Sequence, residues 1–171
     1  MESFTGSSFT KVHVLRLDRG EYLLENIESL IKSKNICNAA VVSGIGTLDY
    51  CVLHMVMTTG LPPVNHFEKW EDKPLEVASI SGIIVDGVPH LHMVISDHER
   101  AYDGHLEHGC RVLYLCEIVI AEMEGFNFQR IRNKDVHKYA YQEMKNDKFA
   151  RRDLYISGGR ELDETVDTSA L

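Results

Sequence analysis

Long apolar runs are missing from this 171-residue chain. None approaches the roughly eighteen residues that a membrane-spanning helix needs. The opening residues, MESFTGSSFT, lack both the basic start and the apolar stretch of a secretory leader, so a cytoplasmic location is expected. Cysteine is scarce: the four, at positions 37, 51, 110 and 116, include no Cys-x-x-Cys pair. That removes the usual thiol framework of zinc and redox sites and leaves reduced, mostly buried thiols as the expectation. Cys110 and Cys116 fall on one expected strand, about 20 Å apart and beyond disulfide reach. Basic charge is short as well, with a formal net charge of −8. Residues 1–125 hold nine basic against eighteen acidic groups, and residues 126–152 hold eight against three. An acidic body argues against broad binding to nucleic-acid phosphates. The basic segment is expected to dock on that body, in its own or a neighbouring subunit.

What is present suits one soluble domain with an appendage, at 44% hydrophobic residues. Val12 to Leu17 reads as a short strand. From Glu21 to Lys34, Leu23, Leu24, Ile27, Leu30 and Ile31 recur at helical spacing, which predicts a helix laid on a sheet. Ala39 to Val42 reads as a buried strand ended by a turn at Gly44-Ile45-Gly46, with a second strand over Leu48–Val56. Glu71-Asp72-Lys73-Pro74 reads as a turn between an edge strand, His66–Trp70, and the strand Leu75–Val85. Arg111–Ala121 is a long strand. Beyond Gly125 the composition shifts, and Asp135 is placed to cap a helix from Val136 to about Arg151.

Chemistry concentrates between Val85 and Leu106. Asp86-Gly87 between apolar runs signals a two-residue hairpin. On the returning strand His90 and His92 are two apart, so both imidazoles project from one face while Leu91, Met93 and Ile95 face the core. His105 follows in a Gly-His-Leu segment. Two imidazoles on a rigid strand and a third nearby suit an open zinc site, although a half-exposed polar face explains them too. The residues between Ser96 and Cys110 read as a polar loop. Asp97, Glu99, Asp103 and Glu107 stand there as candidates for an outer shell or a proton donor. His105 and His108, three apart, form a rival ligand pair. Glu117 shares a face with Leu115 and Val119, where it could orient a histidine or pair with an arginine across a subunit interface.

The order Leu75-Glu76-Val77…Ser81-Gly82, Pro89-His90-Leu91-His92, Gly104-His105-Leu106 and Glu117-Ile118 resembles the plants-and-prokaryotes-conserved (PPC) domain. Ser43-Gly44-Ile45-Gly46-Thr47 is similar to that family's turn after its second strand. The resemblance spans roughly residues 10–125 and leaves 126–171 as a C-terminal extension. It implies His90, His92 and His105 as ligands of zinc or another divalent transition metal, and a homotrimer. It also implies protein partners, since the segment similar to Leu75–Ser81 contacts other proteins in plant members. One departure is Asp103, where the family reads glycine before Gly104. This aspartate could tighten the turn or bring a carboxylate to the histidines. The expected fold is α+β: a mostly antiparallel sheet of about seven strands with one main helix packed on it. Three functions follow: a trimeric metal-binding module that is regulatory or ligand-binding and acts through protein partners, a zinc enzyme of hydrolase or lyase type, and a DNA-associated regulator as in plants. The last depends on an AT-hook, whose Arg-Gly-Arg-Pro core is absent here.

Overall fold

A computed structural model describes residues 3–60, 63–126, 128–132 and 154–158. Its elements run β1 (Ser8–Asp18), α1 (Leu23–Lys34), β2 (Ala39–Val56), β3 (Asn65–Val85), β4 (Val88–Ser96), β5 (Ala101–Leu106), β6 (Arg111–Glu124), β7 (Phe128–Arg132) and β8 (Leu154–Gly158). Six strands form one antiparallel sheet in the order β1-β6-β2-β3-β4-β5, so the main sheet has six strands where the sequence suggests about seven. β7 and β8 pair separately. The helix expected over Val136–Arg151 and the acidic tail lie outside the described residues. No helix among the described residues is long and apolar enough to cross a membrane.

The sheet also closes on itself. β5, beside β4, pairs a second time with β2 through Leu53 with Leu106 and His54 with His105. Four strands thus make a ring, and alternation along each sends one set of side chains inward. Leu53, Leu75, Ile80, Leu91, Met93, Ile95 and Leu106 fill the interior, and each is at most 2% exposed. Leu23, Leu24, Ile27 and Ile31 of α1 join the same core, as their helical spacing predicts. The helix stops at Asn35, whose left-handed backbone donates to the Ile31 and Lys32 carbonyls.

Two expected turns are strand interiors. Gly44-Ile45-Gly46 lies inside the 18-residue β2. Gly46 there is a point of close approach: a Cβ on it would come within 2.6 Å of the Cys116 Cα on β6. Glu71–Pro74 is likewise a bulge in the 21-residue β3, where Asp72 takes a positive φ of 50° opposite a register shift in β2. A bulge accommodates proline and a left-handed residue without reversing the chain. The Asp86-Gly87 hairpin forms as expected, with φ of 54° and 71°.

The cysteines are free. Three are buried and Cys37 is exposed, in keeping with mostly buried thiols, and the sulfurs of Cys51 and Cys110 lie 3.8 Å apart. The hydrogen bond to Cys110, and then burial, holds the Cys51 thiol far above its ordinary pKa, which disfavours a reactive thiolate there.

Asp97 organises the β4–β5 loop. Its Oδ1 accepts from the Glu99 and Arg100 amides at 2.8 and 2.9 Å, while Oδ2 accepts from Lys73 and from the Tyr102 hydroxyl. The Lys73 hydrogen bond, followed by the two amides, holds its carboxyl well below the usual carboxylate range. Ionised Asp97 therefore stabilises the fold above its unfolded pKa of about 3.9, and that contribution is lost as the pH falls toward the depressed folded value. Asp97→Asn should lower stability to urea at pH 7, and the gap to wild type should narrow steadily below about pH 4. A gap that stays constant between pH 6 and pH 2 would remove this role. A second prediction concerns Gly82, whose φ is 144°; a Cβ there would lie 2.1 Å from the His90 carbonyl oxygen. Gly82→Ala should cost about 1–3 kcal/mol in urea unfolding, the range for forced overpacking. Unchanged stability would show that β4 can give way there.

Candidate metal centre

The outer face of the closed sheet gathers the imidazoles. On β4, Leu91, Met93 and Ile95 are buried, which turns His90 and His92 outward. Cross-strand register then extends the row: His92 stands opposite His105 on β5, and His105 opposite His54 on β2. Ring centres are 5.5 Å apart for His90–His92, 5.1 Å for His90–His105, 5.6 Å for His92–His105 and 4.6 Å for His54–His105. The three histidines singled out in the sequence are therefore neighbours. The reason is that residues 101–106, expected to be part of a loop, form a strand beside β4.

Glu107 follows directly after β5. Its Oε1 lies 2.6 Å from Nδ1 of His54 and 2.9 Å from Nδ1 of His105. His54 is only 8% exposed and stacks beside Phe67, with ring centres 5.4 Å apart. One ligand atom each from His54, His105 and Glu107 lie within 4.8 Å of one another, so this group could hold a metal ion. His92 keeps part of its surface in water. The desolvation it does suffer, and then the charge of His105, hold its pKa below the ordinary histidine value, while Asp103 opposes them. A neutral imidazole is the form that ligates metal.

The remaining candidates are spread more widely. Asp103 is exposed on β5, opposite Val94 and on the same side of the strand as His105. Asp97 is engaged with Lys73, and Glu99 is exposed beside Arg100 and His98. His108 leaves the row altogether: its Nε2 meets Glu28 of α1 at 3.0 Å. Glu117 is exposed on β6, in register with Arg16 of β1 and Ile45 of β2. His54 escapes sequence reasoning because a lone histidine in an apolar strand carries no spacing signal; only the β2–β5 register brings it to His105.

Comparison with known proteins places this geometry. The model of the Plants and Prokaryotes Conserved domain matches residues 4–124. A metal-containing protein of Archaeoglobus fulgidus is 27% identical, with a TM-score of 0.65 over 80% of this chain and 95% of its own. A plant- and prokaryote-conserved protein of Pyrococcus horikoshii is 25% identical, with a TM-score of 0.66 over 78% of this chain and 92% of its own. A bifunctional protein GlmU of Synechococcus is 29% identical over 121 residues, or 70% of this chain and 18% of the relative. The chain thus spans less than a fifth of the curated relatives it matches. With the family model covering well over half of its residues, the chain belongs to the Plants and Prokaryotes Conserved domain family.

Proposed function

We propose that this chain is a trimeric metal-binding module that holds one divalent transition metal, zinc being the expected ion, on His90, His92 and His105. The observation carrying this reading is the spacing of the rings. With a zinc–nitrogen bond of about 2.1 Å and the ring centre about 1.1 Å behind the nitrogen, three imidazoles on one tetrahedral ion have centres about 5 Å apart. The three rings here are 5.1, 5.5 and 5.6 Å apart, and two of them are fixed on one strand whose alternate residues are locked in the core. The metal-containing character of the Archaeoglobus relative supports the same reading. When bound, such an ion supplies a Lewis-acidic position open to water or to a small ligand. The protein's own part is to present three imidazoles on a rigid outer face. We read the module as regulatory or ligand-binding, acting through protein partners. The zinc-enzyme alternative draws on Asp103, an exposed carboxylate on the outer face close enough to influence the proton affinity of His92. DNA association has no such observation behind it: the body is acidic, and the DNA-binding neighbours from Bacteroides and Ralstonia, at 17% and 19% identity, support the fold alone.

The trimer rests on a second surface. Val12 and Val14 of β1 are 63% and 71% exposed, and Ile45 of β2 is 51% exposed. Together with Leu115 of β6 they surround Arg16 and Glu117, which are in register with each other. Apolar side chains gathered on one sheet face mark an association surface. Glu117 and Arg16 fit a polar pair within a subunit interface.

Two outcomes follow. His92→Ala should abolish stoichiometric metal by elemental analysis while its circular dichroism stays that of wild type. Full metal occupancy in that variant would end the assignment. By light scattering, the intact protein should weigh three times its 19.4 kDa chain mass, and Val14→Glu should shift it toward monomer. A wild-type monomer at micromolar concentration would contradict the trimer.

A further inference from the structure

The short contacts of Glu107 assign a role to two residues outside the proposed ligand set. Glu107 is held by its backbone as well as by its side chain. Its amide donates to the Val52 carbonyl at 3.2 Å, and its carbonyl accepts from the Cys110 thiol at 3.4 Å. Both contacts come from residues beside or within the core, so the carboxylate is fixed by the β2–β5 closure. It is also largely out of water, with 15% of the side chain exposed. A carboxylate in that setting needs donors. Two such donors are the Nδ1 groups of His54 and His105, both meeting the same oxygen at 2.6 and 2.9 Å. These are hydrogen-bond lengths. An ionised carboxylate only accepts, so with Glu107 ionised these two contacts place a proton on Nδ1 of each ring.

We propose that Glu107, braced by His54, is a positioning residue that holds His105 as its Nδ1–H tautomer and so leaves Nε2 as the ligating nitrogen. This rests on the metal reading above for its consequence, though the tautomer assignment holds without metal. His54 has two functions in this arrangement. It supplies the second donor that a desolvated carboxylate requires, and its ring, packed between Phe67 and His105, limits how far the His105 ring can turn. Histidine ligands elsewhere are oriented by a carboxylate on the second nitrogen, which fixes the ring and raises its basicity. The same three groups, read as ligands, would require a metal at the atoms that now share a proton between ring and carboxylate.

The experiment combines two measurements on the full-length protein. Long-range nitrogen–proton NMR of the metal-free protein reads the tautomers directly. His54 and His105 should both be Nδ1–H in wild type, and His105 should become a mixture in Glu107→Ala. Zinc competition against a chelator then reads affinity. Glu107→Ala should bind zinc roughly 10–100-fold more weakly at an unchanged saturating stoichiometry. Glu107→Gln, which keeps an acceptor oxygen and guards against a folding defect in the alanine variant, should recover part of that loss. An Nε2–H tautomer for His105 in wild type, or undiminished affinity in Glu107→Ala, would overturn the proposal. Loss of all stoichiometric zinc in both Glu107 variants would also overturn it, by making Glu107 a ligand. Wild type that takes up no zinc would instead sink the metal reading, and the tautomers alone would then decide whether Glu107 positions His105.

Discussion

The second pairing of β5, with β2, is the constraint on which the rest of this structure depends. Leu53 opposite Leu106 and His54 opposite His105 turn an open sheet into a closed one. The leucine pair faces the core, with Leu53 and Leu106 at most 1% exposed. Because side chains alternate along a strand, burying one leucine pair obliges the adjacent histidines to face outward together. A slip of one residue in β5 would turn His105 toward the core and Leu106 to the outer face, so the energetics of the core enforce the geometry of the outer row.

That row brings several titratable rings close together. His105 lowers the proton affinity of His92, as does desolvation, and Asp103 offsets only part of this. At the other end of the row Glu107 contacts both His54 and His105 through one oxygen. The result is a graded surface, with a carboxylate-anchored end at β2 and β5 and a freer end at β4. The exposed apolar side chains of β1, β2 and β6 lie at strand positions separate from this row.

Much of this was legible in the sequence where period and chemistry agree. The His-x-His pair, the Asp86-Gly87 turn and the apolar stripe of α1 each follow from local spacing. The failures are instructive in the same terms. Gly44-Ile45-Gly46 and Glu71–Pro74 carry turn residues, yet their glycines, aspartate and proline accommodate close strand approach and a bulge within long strands. Residues 101–106 are too polar to signal a strand, because one of their faces carries Asp103 and His105 and only Gly104 and Leu106 are buried. His54 could not be found locally, since its role arises from a partner that lies far along the chain. Glu117, placed beside apolar residues by alternation, stands on an exposed face that alternation alone cannot distinguish from a core face.

The most direct test is crystallographic: anomalous scattering recorded on either side of the zinc edge from crystals of the zinc-loaded protein. The account predicts one anomalous peak per chain, bonded to His90, His92 and His105 at about 2.0–2.1 Å, with Glu107 remaining on Nδ1 of His105. A peak lying between His54, His105 and Glu107, or no peak at this histidine row, would contradict it.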